Sequence, residues 1–421
     1  MTQQASPRPA SVIVVSRHRA AALTRCLTAL SQQDHPNFEV IVVADPAGVA
    51  AVQAQGLAVK LVAFDEPNIS AARNAGLTHA AAGIVAFLDD DSVAEPTWLS
   101  RLCAGFSAAG VVAATGYVRG RNGISYQWRA CEVDIHGQDH AVVVPTAGIS
   151  LRAGTPRRAV KTQGTNCAFL REALAAAGGF DEAFRFYLDE ADVNLRMAGL
   201  TAIVPQAQVH HGYLASGQRR DDRVPTDLHD IAASTAVFLR RHAAGPGLAV
   251  SLSDGLARLR KQQRTRLEAH VASRRISRTE ADRLMQTLEA GWTEGAARAM
   301  TRLPPLAKPA SPFQPLPGTG PRPGCLIAGR IWQRRRLIRQ ATAEVAKGTV
   351  PTVICLSPGP RAHRMTYHDA GFWLHEGGLF GWSDRTGPRL RLTGFATRVT
   401  EEAARWATLR SLGPDWVARR P

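Results

Sequence analysis

Three consecutive carboxylates, Asp89, Asp90 and Asp91, follow the wholly apolar run Ile84–Leu88. A short run of this kind reads as a buried strand. The acids therefore stand together at a strand end, where like charges repel unless a cation holds them. Hard divalent cations such as Mg²⁺ and Mn²⁺ prefer such oxygens and keep positions open for substrate phosphates. Pro96 suits the first turn of a helix carrying Trp98, Leu99 and Leu102. A metal-free alternative has Asp91 or Ser92 capping that helix. A second acidic group is Asp189-Glu190-Ala191-Asp192, with Arg196 beyond it. Acids there suit a base that takes a proton from a hydroxyl, or a helix N-terminus favoured by the macrodipole. The apolar Phe186-Tyr187-Leu188 run just before Glu190 predicts a raised pKa for it. His210 and His211 follow an apolar stretch and add imidazole to the possible metal ligands.

The elements that must position these groups alternate. Val12–Val15, Phe38–Val43, Leu61–Phe64 and Ile84–Leu88 read as strands. Between them, Leu23, Cys26, Leu27 and Leu30 have helical spacing, and Ala71–Ala82 reads as a helix. Such alternation predicts an α/β class with a Rossmann-like, mostly parallel sheet flanked by helices. Ligands of open sheets bind beyond the carboxyl ends of the strands, and Ser16, Arg17, Asp45, Asp65 and Asp89–Asp91 all stand there. Farther on, a helix near Arg171–Ala177 is stopped by Gly178 and Gly179, and Asp189–Met197 reads as another. Ala202–Pro205 and Gln208–His210 read as two short strands, and Asp227–His242 as a helix. Residues 119–163 show weak periodicity.

Three motifs occur in order: NISAARNAG at 68–76, the acidic triplet, and GGFDEAFRFYLDEADVNLR at 178–196. As a set they resemble glycosyltransferase family 2, inverting sugar-nucleotide enzymes with the GT-A fold, over about residues 10–242. The resemblance implies that Asp89 and Asp91 hold Mn²⁺ or Mg²⁺, with His211 reaching back to the metal or phosphate. It implies that Ser16, Arg19, Asp45, Asp65, Arg73, Asn74, Asp89 and Asp90 face the nucleotide sugar. Glu190 takes the base position, with Asp189 as its competitor, because the first two acids are swapped relative to the common form. Thr165, Asn166 and Trp128 fall to the acceptor. Asp192 and Arg196 form a structural i, i+4 pair. In the stretch Val15–Arg19 only Arg19 matches the family outright. A nucleotidyltransferase would need a Gly-rich loop after the first strand, and SRHRAAAL has no Gly. A non-catalytic nucleotide-sugar or glycan-binding module on the same fold is the other alternative.

The 421 residues carry a formal charge of +16 and a pI near 10.5. That favours anionic partners: a nucleotide-sugar donor, an acidic glycan or glycoconjugate acceptor, or a peripheral contact with a membrane surface. No aromatic-interleaved basic stripe points to nucleic acid. Six scattered cysteines suit reduced structural thiols. With neither a signal-peptide core in MTQQASPRPA nor a long apolar run, the expected location is cytoplasmic, peripheral at the inner face of the membrane. The expected organisation is a GT-A domain at 1–243, a basic helical segment at 244–302, a Pro-rich linker at 303–324 and a small α/β module at 325–421. Ser277 with Glu280 has the capping-box pattern, and few contacts are expected to cross the linker. The function expected from the resemblance is metal-dependent inverting transfer of a sugar to an acceptor hydroxyl, in polysaccharide or glycoconjugate synthesis.

Overall fold

Parallel register explains why distant polar residues converge. β1 (Ala10–Ser16) lies between β2 (Phe38–Ala44) and β4 (Ile84–Asp89), with β3 (Lys60–Ala63) outside β2. All four run the same way, so their carboxyl ends share one edge. The computed structural model describes residues 7–246 and 248–413. Alternate residues of these strands enter different cores. Val12, Val14, Val40 and Val42 pack with Leu23 and Leu27 of α1 (Ala20–Leu30) and with Val52 of α2 (Pro46–Gln55). Ile13, Ile41 and Val43 pack with Ala72 and Leu77 of α3 (Ile69–Leu77). Both faces are covered, which is why these strands are apolar throughout. α2 carries almost no apolar stripe to read, because PAGVAAVQAQ buries only Gly48 and Val52.

The second half of the sheet is mixed. After β5 (Ser92–Ala94) and α4 (Trp98–Ala104) come β6 (Val111–Arg119) and β7 (Tyr126–Trp128). Short strands fill the weakly periodic stretch. β8 (Cys131–Asp134), β9 (Asp139–Ala141) and β11 (Arg158–Val160) make a separate small sheet, and β10 (Ser150–Ala153) joins the main sheet. β12 (Cys167–Leu170) runs antiparallel between β4 and β6. Two short helices follow, α5 (Arg171–Ala176) and α6 (Asp189–Met197). β13 (Leu200–His211) completes the order β10-β13-β6-β12-β4-β1-β2-β3, with β5 and β7 on the side. The two strands expected at 202–210 are this one strand. Its register shifts between Val204 and Gln208, at Pro205, which cannot donate to the ladder. The capping alternative for the acidic triplet fails: Ser92 is in a strand, paired with His211, and Thr97 occupies the N-cap of α4.

α7 (His229–His242), α8 (Leu248–Ala272) and α9 (Arg278–Ala297) form a bundle around Leu239, Leu259, Leu284, Leu288 and Trp292. Ser277 caps α9 through the Glu280 amide. Among the described residues no helix is long and apolar enough to cross a membrane.

Residues 303–324 are not a free linker. They run as a strap along the first domain: Leu306 donates to Ala175, Ala310 to Thr78, Leu316 to Phe38 and Gly320 to Gln33. The Gln314 amide meets Glu39 at 2.9 Å, and Leu316 is buried in the core beside Phe38. The C-terminal module contains β14 (Gly324–Arg330), α10 (Arg334–Ala346), β15 (Val350–Ser357), β16 (Arg364–His368), β17 (Phe372–Gly378) and α11 (Phe395–Ala404). Its sheet order is β14-β15-β17-β16. This module is clamped onto the first domain rather than tethered to it. Arg410 bonds both oxygens of Glu95, at 2.7 and 2.8 Å, and all of these groups are buried. Tyr367 donates to Gln32 at 2.9 Å, and Arg25 pairs with Asp369 at 2.7 Å.

Candidate active site

The acidic triplet splits by role because the chain turns at each residue. Asp89 ends β4 with its side chain 30% exposed. Asp91 faces the end of β13, where His211 Nε2 lies 3.2 Å from its Oδ1 and 4.0 Å from Asp89 Oδ2. One ligand atom from each of Asp89, Asp91 and His211 lies within 4.8 Å of the others. His211 Nδ1 sits 3.1 Å from Gln127 Oε1, so a proton on Nδ1 leaves Nε2 free to face the two acids. Asp91 Oδ1 is buried with no hydrogen-bond partner. Two carboxylates and an imidazole are a fitting donor set for Mn²⁺ or Mg²⁺. Burial raises the pKa of Asp89. Burial also acts on Asp91, but His211, Arg19 and the Leu214 amide hold it well below the usual range. Burial would lower His211, and Asp91 raises it instead.

Asp90 is turned the other way. It is fully buried, accepts from Ser16 at 2.7 Å and from Arg19 at 3.0 Å, and is pushed up to about 7 by burial. It anchors the strand ends and has no surface to offer a nucleotide. Ser16 is likewise sealed, 2% exposed and committed to Asp90. Arg19 also reaches Asp91 at 3.3 Å, so it offsets the triplet's charge from inside.

Arg73 joins the metal-ready cluster to the second acidic group. It is 3% exposed, bonds Asp189 and lies 3.2 Å from Glu190 and 3.7 Å from Asp89. The Phe87 and Phe180 rings lie 5.9 and 5.2 Å from its guanidinium. Burial alone would lower its pKa, and the three carboxylates more than reverse that. Asp189 is sealed at 3% side-chain exposure, whereas Glu190 keeps 17%. Burial and the Glu190 charge push Asp189 up to about 8. Burial also acts on Glu190, but Arg73 outweighs it and leaves Glu190 below the ordinary value. The raised pKa expected from the apolar run is therefore found on Asp189, and Glu190 is the ionised, accessible member. Tyr187 and Leu188, immediately before them, both have positive φ, at 76° and 66°. Such strain costs on the order of 1–3 kcal/mol per residue and concentrates at functional sites.

Gly164 completes this corner, and sequence reasoning did not single it out as a site residue. A Cβ there would lie 1.8 Å from Glu190 Oε1 and 2.2 Å from an Arg73 nitrogen. Its neighbours are structural. Asn166 is fully buried and spends its amide on Trp98 Nε1, Tyr117 O and Ala207 O. Thr165 is buried against Ser92. Neither can meet an acceptor as expected. Asn74 does not face a nucleotide either, since it ties α3 to the 178–182 turn through both Phe180 backbone groups and Glu182. Trp128 is 36% exposed, with the Lys161 ammonium 5.7 Å from its ring.

At the far side of the edge, Asp45 accepts from the His18 amide at 3.0 Å. Burial opposes its charge, yet the His18 amide and ring leave its pKa lowered. Asp65 is 47% exposed and pairs with Arg17 at 2.8 Å. His18, in a left-handed conformation at φ 59°, holds this rim together and carries no sequence signal. A cavity of about 130 Å³ beside Asp91 and His211 is closed by Met365 and Tyr367 of the C-terminal module.

Residues 11–175 match the model of the family described as glycosyl transferase family 2. Solved structures to which the chain shows similarity include the mannosyltransferase PcManGT from Pyrobaculum calidifontis in complex with GDP-Man and Mn²⁺. It is 19% identical, with 70% of this chain and 87% of that chain covered and a TM-score of 0.40. TarS 1-349 from S. aureus in complex with UDP-GlcNAc is 15% identical, with 68% and 81% covered and a TM-score of 0.45. GalNAc-T7 with UDP, GalNAc and Mn²⁺ is 15% identical, with 60% and 55% covered and a TM-score of 0.43. No curated protein matches the chain. The segment 11–175, which holds the parallel strand edge and the acidic triplet at its end, is the part of the chain that matches this family.

Proposed function

We propose that this domain transfers a sugar from a nucleotide diphosphate donor to a hydroxyl of a glycan or glycoconjugate acceptor, with inversion. The observation that carries the reading is the Arg73 bridge, which links Asp89 of the metal-ready cluster to Glu190. In the proposed step the acceptor oxygen bonds to the anomeric carbon as the bond to the diphosphate breaks. The hydroxyl proton passes to Glu190, and the nucleotide diphosphate leaves. Inversion needs base and leaving group on opposite faces of the sugar, which suits a base on α6 and phosphate-facing groups at the ends of β4 and β13. Arg73 keeps Glu190 ionised at neutral pH, and Gly164 leaves room for its carboxylate. A divalent cation held by Asp89, Asp91 and His211 would supply charge neutralisation at the departing diphosphate. The exposed rim at Asp65, with Asp45 behind it, suits the nucleoside, since a carboxylate can accept from base N–H or ribose hydroxyls.

The test is calorimetric titration of UDP and GDP with and without Mn²⁺, beside hydrolysis of their sugar conjugates. Binding and turnover should require the cation, vanish with chelator and return with Mn²⁺ or Mg²⁺. Full turnover in excess chelator would refute the metal role. Binding with no turnover of any donor would favour the non-catalytic module.

A further inference from the structure

A second and larger cavity, about 730 Å³, opens between the family 2 domain and the C-terminal module. Arg119 and Arg129 line it from one side, and Arg385 and Arg405 from the other. The only carboxylate in the lining is Asp384, which is engaged by the Thr386 amide and hydroxyl at 3.0 and 2.7 Å. Arg405 approaches Glu402 only to 3.8 Å, and Arg119, Arg129 and Arg385 have no ion pair among the described residues. Arg119 spends its guanidinium on Gln208, the Ile124 carbonyl and Tyr126, and Arg385 on the Trp382 and His363 carbonyls, so Arg129 and Arg405 are the cations an entering anion would meet.

The walls are also aromatic. The Arg119 guanidinium lies 4.3 Å from the Tyr126 ring centre and 4.6 Å from that of Trp406, and Arg129 lies 4.9 Å from Tyr126. Trp406 is buried between Arg119 and Arg410 and offers no face to a sugar. Guanidinium forks match carboxylate and phosphate oxygens two at a time. The cleft leads to the reaction centre through β7. Gln127 lines it and meets His211 at 3.1 Å, while Trp128, the next residue, stands beside Lys161.

We propose that this cleft binds an anionic stretch of the acceptor glycan, one bearing phosphate or carboxylate groups, while the reacting hydroxyl lies at Glu190. The proposal rests on the transferase reading above, and its own signature is charge-selective glycan binding. It gives the C-terminal module a role in acceptor choice, since half of the arginines come from it.

The test uses the full chain and fluorescent probes at fixed ionic strength: trigalacturonate for carboxylate, a glycerol phosphate trimer for phosphate, maltotriose as the neutral control and an eight-residue oligo(dT). One or both anionic probes should bind at least about tenfold tighter than maltotriose. Their ranking tells carboxylate from phosphate. Arg129→Glu, at an exposed position without an ion pair, should remove at least about tenfold of that preference, and Arg405→Gln part of it. Thermal melting of each variant reports folding. Equal binding of maltotriose and both anions, or an Arg129→Glu protein that keeps the full preference, would overturn the proposal. So would oligo(dT) binding tighter than either glycan probe. Charge-selective binding in a protein that binds no nucleotide sugar would leave the cleft assignment standing and sink the donor-site reading instead.

Discussion

Arg73 and Arg410 are buried in similar ways, at opposite ends of the sequence. Each lies near two aromatic rings, Phe87 and Phe180 for Arg73, Trp373 and Trp406 for Arg410. Each neutralises buried acid. Arg73 serves Asp89, Asp189 and Glu190, which come from separate motifs of one domain. Arg410 serves Glu95, which also meets His210 Nε2 at 2.7 Å. His210 is paired with Val93 in the β13–β5 ladder, one residue before His211. Arg73 thus joins the two acidic groups directly, while Arg410 clamps the strand that carries His211. Glu95 is held down to about 2 by Arg410 and His210 against the effect of burial. The acid-bearing strand edge is thus held from two sides, and the C-terminal module supplies one of them.

The largest effect expected from this comparison is on truncation. Ending the chain after Arg302 removes the strap, Arg410 and the Trp373 and Trp406 rings that pack on His210, and strips the cover from apolar residues Ala29, Phe38 and Val93. The fragment should melt cooperatively far below the full chain or fail to fold, because baring apolar core costs roughly 25 cal/mol per Å². A 1–302 fragment with full-length stability and donor hydrolysis would restore the modular organisation expected from the sequence. The single substitutions sharpen the distinction. Arg410→Met should cost about 3–5 kcal/mol in urea denaturation, and adding Glu95→Gln should recover much of it. Arg73→Met should cost a similar amount, but Glu190→Gln should not restore its donor turnover. If both arginines behave alike in turnover, the division of labour is wrong. The smallest effect belongs to Gly164→Ala, where the added methyl must displace Glu190 or Arg73. We expect a loss of about 1–3 kcal/mol in stability and at least about tenfold in donor hydrolysis, since a base must hold its geometry.

What was legible in the sequence follows from how local each signal is. The strands β1 to β4 and α6 could be read because their periodicity lies within a few residues. The triplet and the DEAD segment could be read because their acids are contiguous. The division of the triplet could not: whether Asp90 faces outward or inward depends on Ser16 and Arg19, which reach it across the sheet. Asn74 and Asn166 match motif positions yet serve backbone groups, because polar residues in a motif can be retained for buried hydrogen bonding as readily as for ligand contact. The strap misled for a related reason. Its prolines suggest an unpaired chain, but four of its amides find carbonyls on the first domain one at a time, with no periodic pattern. The Arg410 clamp spans the whole chain and left no trace in spacing.

The central claim is that Glu190, kept ionised by Arg73, takes the acceptor proton. The most direct measurement is turnover of a nucleotide sugar by Glu190→Gln, alongside its affinity for nucleotide and Mn²⁺ and with Asp189→Asn in parallel. Glu190→Gln should bind nucleotide and cation as the parent does and lose at least about two orders of magnitude in turnover. Asp189→Asn, altering a sealed group whose pKa is raised by burial and the Glu190 charge, should act mainly on stability. Near-parental turnover in Glu190→Gln with an inactive, folded Asp189→Asn would move the base to Asp189. Near-parental turnover in both would contradict the account.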